Sequence, residues 1–240
     1  MTRTFKVVSA LLSYPTAEIQ EAVDEFLPAL KEEKLVPTPL CERMTQLISE
    51  YRNGDLIDLQ ERYVLLFDRT RSLSLHLFEH VHGESRDRGQ AMVDLQAVYE
   101  SNGLVNNTTE LPDYLPLFLE FLSVLPLRRA LDLLGEPAHV LAALAARLRK
   151  RDSSYAVVLD VLSALAAPVD PAVIEAILRE ADDDPEDLAA LDAAWETEAV
   201  RFGPEATTGA CSAANRMTNG PHNPNAPCAP NGVQRGTNDD

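Results

Sequence analysis

In the five consecutive residues His76-Leu77-Phe78-Glu79-His80, two imidazoles and one carboxylate could bind a metal ion and activate water. Their order, H-x-x-E-H, is the zinc signature of one class of metallopeptidases, in which two histidines ligate the metal and the glutamate assists the bound water. This chemistry requires both imidazoles on one face of a helix, a third protein ligand and an open coordination position. The first question is therefore whether the local sequence can form such a helix.

The sequence around the motif favours an extended segment over a helix. Apolar and polar residues alternate in the stretch that leads to His76, and Gly83 follows only three residues after His80. In an extended segment His76, His80 and His82 lie on one side together with Phe78. Glu79 lies on the other side. Two alternatives to a zinc site therefore stay open: histidines packed inside a segment that crosses a helical bundle, and a surface for a partner.

The charged stretch after the motif has two interpretations. Arg86 and Arg88, interleaved with Glu84 and Asp87, could bind a phosphate or a carboxylate. The same charges could instead satisfy one another and the free amides of a helix start, with a contribution on the order of 1 kcal/mol. Asp87 followed by Gln90 resembles a capping box, which predicts that a helix begins there.

The elements that would position these residues are helices. Apolar residues recur at helical spacing through most of the chain, between short Pro, Gly and Asp breaks. We predict an all-α fold, a single-domain bundle of about ten helices over residues 1–202. Helices are expected from Thr16, from Thr38 to Asn53, from Asp55, from Asp87 to Asn102, and over residues 110–126, 137–152, 153–168, 171–184 and 185–203.

The composition changes at the end of the chain. Residues 203–240 hold half of the ten glycines and almost no large apolar side chains, so we predict a disordered polar tail. Cys211, His222 and Cys228 lie in it, where a flexible chain supplies no fixed metal geometry. Together with Cys41 the cysteines are too few and too far apart for a disulfide framework, which favours a reducing cytoplasm.

Charge and hydropathy restrict the partners. The chain has 38 acidic and 21 basic residues, a formal charge of −17, and such a surface repels phosphate backbones and anionic lipid headgroups. We therefore expect no nucleic acid and no membrane insertion, whereas a basic peptide is a suitable partner. The sequence predicts neither a signal peptide nor a transmembrane helix, and it contains neither a Gly-rich phosphate loop nor a G-x-S-x-G motif.

The most aromatic predicted helix spans residues 110–126. Tyr114, Phe118 and Phe121 combine there with several leucines and cover more of the helix than one buried stripe needs. Core packing accounts for most of these side chains. Pro112 and Pro116 would loosen the first turn, and a loosened apolar helix end is a place where a groove for another helix can form.

Two long stretches carry a family resemblance: "LFDRTRSLSLHLFEHVHGESRDRGQAMVDLQAVYESNGL", followed by "ELPDYLPLFLEFL". They resemble the delta-subunit family of respiratory nitrate reductase, within the wider family of molybdenum-enzyme assembly chaperones. The resemblance extends from "SALLSYP" through "SSYAVVLDVL" to "LDAAWETEAVRF". It implies an all-helical, non-catalytic protein that has no cofactor or metal of its own and binds an enzyme's apo catalytic subunit in the cytoplasm.

The resemblance also implies how such a chaperone works. It binds the N-terminal segment of the catalytic subunit, keeps the subunit open while molybdenum guanine dinucleotide and an iron-sulfur cluster are inserted, and delays docking to the membrane anchor. It is absent from the finished enzyme. Molybdenum cofactor delivery proteins are further candidate partners. A generic helical peptide-binding adaptor and a zinc hydrolase remain the alternative functions.

The family pattern matches this chain again at Glu110, Pro112 and Asp113, after eleven matching positions in the first stretch: Phe67, Asp68, Phe78, Glu79, His80, His82, Gly83, Glu84, Arg86, Asp87 and Arg88. Tyr114 stands where the wider family often has histidine. No catalytic residue is predicted. The predicted partner-binding residues are Phe78, His80, His82, Glu84, Arg86, Asp87, Arg88, Glu110, Pro112, Asp113, Tyr114 and Phe118.

Overall fold

The structure, a computed structural model, describes residues 1–82, 86–105 and 109–179. Within these ranges the chain is helical and contains no strand, which confirms the predicted all-α class. The predicted helix at 185–203, the predicted tail at 203–240 and the boundary between them lie outside the described residues. In the described part of the chain, no helix is long and apolar enough to cross a bilayer.

Eleven α-helices lie in the described ranges, with a π-helical turn at Val64–Asp68 and a 3₁₀ turn at Arg71–Leu73. The α-helices are α1 (Arg3–Leu12), α2 (Ala17–Glu33), α3 (Thr38–Asn53), α4 (Leu56–Tyr63), α5 (Glu79–His82), α6 (Arg86–Ser101), α7 (Leu115–Val124), α8 (Leu127–Leu134), α9 (Ala138–Lys150), α10 (Ala156–Leu165) and α11 (Pro171–Leu178).

Several helix ends follow from local side-chain chemistry. Thr16 Oγ1 accepts a hydrogen bond from Ile19 N at 3.3 Å at the start of α2, and Asp55 Oδ1 accepts from Ile57 N at 2.8 Å at the start of α4. Each bond satisfies an amide that has no partner inside its own helix. Gly54 follows α3 directly, as predicted.

Other predictions about the helices are wrong. Helix α6 begins at Arg86, so Asp87 lies inside its first turn instead of capping it. Helix α7 begins at Leu115 and not at Glu110, because the residues before it pair with another segment. The stretch around His76 is extended only locally: a 3₁₀ turn precedes it and α5 follows. Helices α1 and α8 were not predicted.

Helix α1 lies at the centre of the core. Phe5 and Leu11 are fully buried, and α1 packs on α7 and α2. Ser9 Oγ donates to Pro116 O at 2.8 Å, which ties α1 to the start of α7. A second group of contacts joins α9 to α10, and α10 to α3. Helix α1 thus joins α2 and α7, and the Ser9 bond fixes the beginning of α7 against α1.

Four tyrosines form two hydroxyl pairs inside the bundle, which we call the tyrosine network. Tyr51 OH lies 2.9 Å from Tyr155 OH, and Tyr63 OH lies 2.9 Å from Tyr114 OH. Tyr63 OH also donates to Leu12 O at 2.9 Å, at the end of α1. Burial is the largest cause that raises the pKa of all four hydroxyls, so they stay protonated and available as donors.

The π-helical turn positions the ring that joins the two hydroxyl pairs. Phe67 lies on this turn, and its ring centroid is 5.0 Å from that of Tyr63 and 5.1 Å from that of Tyr155. Both distances fall in the range of favourable aromatic contacts. The network therefore connects α3, α4 and α10 to the residue that precedes α7.

Candidate peptide-binding groove

The segment before α5 is tied to the start of α7 by backbone hydrogen bonds. Leu77 N donates to Asp113 O at 3.1 Å, and Leu115 N donates to Leu75 O at 2.8 Å. The two bonds form an isolated antiparallel bridge. Helices α5 and α6 lie between the paired residues in sequence, so the bridge closes the base of the loop that contains them.

The carboxylate of Asp113 reinforces this bridge. Its side chain is 0% exposed. Oδ2 accepts from Phe78 N at 3.0 Å, and Oδ1 lies 3.3 Å from His76 Nδ1. A buried carboxylate is tolerated when its oxygens have such partners. The Asp113 carboxylate thus contacts other residues of the fold and not solvent.

The residues on either side of Asp113 bind two further elements. Tyr114 pairs with His76 across the bridge, with ring centroids 5.4 Å apart, and its hydroxyl meets Tyr63 of α4. Pro112 O accepts from Tyr99 OH of α6 at 2.6 Å. Three consecutive residues, 112–114, therefore connect the segment before α5, helix α4 and helix α6. We call them the junction.

The two histidines of the H-x-x-E-H pattern have different partners. The hydrogen bond to Asp113 is the largest cause that raises the pKa of His76, against the opposing effect of its burial. His80 Nε2 lies 2.8 Å from Ser74 O. His76 precedes the short helix α5 that contains His80, so the two imidazoles do not share one helical face.

The glutamate of the pattern is also engaged. Glu79 Oε1 pairs with Arg88 Nη2 at 3.1 Å, and both side chains are about three-quarters buried. Over residues 1–82, 86–105 and 109–179, no group of three or more histidine, cysteine or acidic side chains is placed to hold a metal ion. The arrangement connects α5 to α6 and does not resemble a hydrolytic site.

A groove of about 430 Å³ lies beside the bridge, and its lining is mostly apolar. Its walls come from the segment with α5, from α6, from α7 and from the α8–α9 connection. A space of this size, lined by apolar side chains with a few charged groups at its edge, is suited to the apolar face of a peptide. The lining residues are Leu77, Phe78, Val81, Ala91, Asp94, Leu95, Val98, Phe118, Arg129, Leu133, Glu136, Pro137 and His139.

The predicted partner-binding residues fall into two groups. Phe78, half-buried, and Phe118, buried, line the groove. Asp113 is buried, whereas Pro112 and Tyr114 are half-buried and belong to the junction. The structure therefore brings the two aromatic residues together at one surface and gives the junction residues a place behind it.

The charged candidates are more dispersed. Asp87 and Glu110 are exposed, whereas His80 and Arg88 are half-buried. None of these four lines the groove in the described structure. His82 ends α5 and Arg86 begins α6, but their side chains, like all of Glu84, lie outside the description. Contact of any of these residues with a partner stays a prediction.

Several groove residues were missed from the sequence. Ala91, Leu95 and Val98 form an apolar stripe on α6 at the spacing i, i+4, i+7, and this pattern could have indicated the groove wall. Leu133 was missed because α8 was not predicted, although the residues between Pro126 and Gly135 are largely apolar. These side chains matter because they line the groove together with Phe78.

Residues 16–160 match the family described as "Nitrate reductase delta subunit". The matched range contains the junction and every residue that lines the groove. The chain belongs to this family. Its delta-subunit relatives are assembly chaperones and not catalysts, so the H-x-x-E-H pattern does not make this chain an enzyme.

Curated relatives cover most of the chain. The nitrate reductase molybdenum cofactor assembly chaperone NarJ of Escherichia coli K12 is 48% identical over 82% of this chain and 83% of its own length. The probable chaperone NarW of the same strain is 41% identical over 82% of each chain. A probable NarJ of Bacillus subtilis 168 is 32% identical over 67% of this chain and 86% of its own.

A solved structure supports the fold. The crystal structure of a candidate redox enzyme maturation protein from Archaeoglobus fulgidus matches with a TM-score of 0.50 at 20% identity. The match covers 68% of this chain and 91% of that one. At this identity the likeness concerns the all-helical architecture alone.

Proposed function

We propose that this chain is a private assembly chaperone for the catalytic (alpha) subunit of a respiratory nitrate reductase. The observation that carries the proposal is an open apolar groove in a member of the delta-subunit family. The groove binds the N-terminal segment of the apo subunit as an amphipathic helix, whose apolar face fills the space between α6 and α8.

Charge would favour such a client. The chain carries a formal charge of −17, and Asp94 and Glu136 stand at the groove beside Arg129. A basic amphipathic segment is attracted to an acidic surface over several ångströms, which raises its association rate more than its final affinity. The apolar lining then supplies most of the binding free energy.

The consequence of this binding is control of assembly. In this proposal the cytoplasmic chaperone keeps the subunit open while the molybdenum guanine dinucleotide cofactor and an iron-sulfur cluster are inserted, and it delays docking to the membrane anchor. Cofactor delivery proteins would meet the subunit in this complex. The filled subunit closes, binds the chaperone less tightly and leaves it out of the finished enzyme.

The test compares groove and non-groove substitutions on one helix. Leu95→Asp places a charge in the α6 wall, whereas Val93→Asp makes the same change on α6 at a residue that is 62% exposed and does not line the groove. The catalytic subunit is produced with each variant, and its molybdenum cofactor content and membrane-bound nitrate reductase activity are measured. We expect Leu95→Asp to lower both and Val93→Asp to preserve both.

Two results would count against the proposal. Unchanged cofactor loading when the chaperone is omitted would remove the chaperone function for this client. Equal affinity of the groove for the client's N-terminal peptide and for unrelated amphipathic peptides of the same charge would favour a generic adaptor, because specificity is a difference between affinities.

A further inference from the structure

We propose that Asp113 is a positioning residue for the groove: its buried carboxylate holds the backbone of Phe78, and through it the Phe78 ring, in the groove wall. Asp113 itself does not meet the bound peptide, because its side chain is 0% exposed. This inference rests on the groove being the client site.

The backbone amide of Phe78 is bound by Asp113. This residue precedes α5, so its amide lies outside the bonding of that helix, and its acceptor is Asp113 Oδ2 at 3.0 Å. Phe78 O in turn accepts from Val81 N at 3.3 Å. The Asp113 carboxylate thus binds the residue at which the bridge ends and α5 begins, and both Phe78 and Val81 line the groove.

Asp113 is itself held in place by its neighbours. Its backbone oxygen accepts from Leu77 N, and its neighbours are bound by Tyr99 of α6 and Tyr63 of α4. The carboxylate therefore projects from a part of the chain that three elements hold. A side chain supported in this way can set the position of another residue, as the outer residues of a binding site do.

The position of Phe78 affects how tightly the groove binds a peptide. Without this acceptor, the half-buried Phe78 amide loses its hydrogen bond to Asp113, and the segment 77–81 gains freedom to adopt other conformations. A peptide that fills the groove must then order this segment again, and that ordering weakens binding even though no contact with the peptide was removed. Asp113 would thus affect affinity through preorganisation.

The test uses two uncharged replacements of similar size. Asp113→Asn keeps an oxygen acceptor for the Phe78 amide, whereas Asp113→Leu has none; Asp132→Asn on the exposed face of α8 controls for the lost charge. The full-length variants are titrated with a synthetic peptide of the catalytic subunit's N-terminal segment. We expect Asp113→Leu to weaken binding by at least about tenfold, and Asp113→Asn to stay within about threefold of the wild type.

A double-mutant cycle separates positioning from a general structural role. If Asp113 acts through the Phe78 ring, Asp113→Leu should add little to the affinity already lost in Phe78→Ala. Losses that multiply in the double variant would overturn the inference. Equal affinities of Asp113→Leu and Asp132→Asn would overturn it as well.

A measurement on the unmodified protein keeps the inference testable if Asp113→Leu does not fold. The Phe78 amide proton should exchange with solvent at least about tenfold more slowly than an unbonded exposed amide, and a fast Phe78 amide would contradict the proposal. If Phe78→Ala and Leu95→Asp both leave peptide affinity unchanged, the groove is not the client site and the proposed function fails, whatever the amide exchange shows.

Discussion

The tyrosine network and the groove meet at the junction, yet they differ in what surrounds their side chains. In the network, Tyr51 and Tyr155 are fully buried, and their hydroxyls bond to each other. In the groove, Phe78, Leu95 and other apolar side chains border about 430 Å³ of open space. The network therefore stabilises the fold, whereas the groove leaves apolar surface open, as the proposed client site requires. Substitutions should separate the two contributions.

The largest effect is expected in the network. Tyr155→Ala removes a fully buried ring that contacts Phe67 and Tyr51, and it should lower the free energy of unfolding by about 3–5 kcal/mol. Urea unfolding measures the loss. The control is Tyr14→Ala, the same substitution at a ring that is 45% exposed, which should cost clearly less. Similar losses for both variants would show that burial of the Tyr155 ring does not stabilise the fold.

In the groove a substitution should affect binding before stability. Val81 lines the groove and is 50% exposed, so Val81→Asp should change the free energy of unfolding by less than about 0.5 kcal/mol. It should weaken the N-terminal client peptide by about 1–2 kcal/mol, because the bound peptide would desolvate the new charge. Val105→Asp, at a 78% exposed valine outside this groove, is the control for calorimetric titration.

An effect of similar size, on stability, is expected where the network reaches the junction. Tyr63→Phe removes the hydroxyl that donates to Leu12 O and pairs with Tyr114, with an expected loss of stability of about 1–2 kcal/mol. The double variant Tyr63→Phe/Tyr114→Phe should lose less than the sum of the two single losses, because the pair is then removed together. Strict additivity in urea unfolding would show that the two hydroxyls are not coupled.

The smallest effect concerns the protonation of His76. Its pKa lies above the ordinary value of 6.5, mainly because of the bond to Asp113. The folded state thus binds the proton more tightly, and the stabilisation is fully present below about pH 6.5 and is lost as pH rises through the raised pKa. The stability difference between wild type and His76→Gln should shrink over that range. An NMR titration that places the His76 pKa at or below 6.5 would contradict this.

Local chemistry made much of the fold predictable. Thr16 and Asp55 are good caps, and Gly54 ends a helix whose apolar spacing is regular, so these boundaries follow from residues within a few positions of one another. The all-α class follows from the same periodicity. Helix α8 carried the same kind of signal, because Leu127, Ala130, Leu131 and Leu134 follow helical spacing between Pro126 and Gly135, but its eight residues make only about two turns.

The site depended on contacts between distant parts of the chain. Asp113 resembles an acidic residue in the first turn of an aromatic helix, but it instead bonds His76 and Phe78, more than thirty positions earlier. This pairing delays the start of α7 to Leu115. The sequence indicated that Phe78 and Phe118 matter, yet only the fold shows that they line one surface and that Asp113 lies behind it.

The bridge at the base of α5 and α6 has a consequence for how this family can diversify. The bridge joins Leu77 to Asp113, and α6 has further contacts with the bundle: Tyr99 donates to Pro112 O and packs on Phe121, with ring centroids 4.6 Å apart. Among the described side chains of α6, Tyr99 alone is buried. A relative's sequence can therefore replace α5 and α6 without loss of the bundle only where Tyr99 and its partners are kept. A chimera of paralogues that keeps them would show how much of the proposed client preference lies in these two helices.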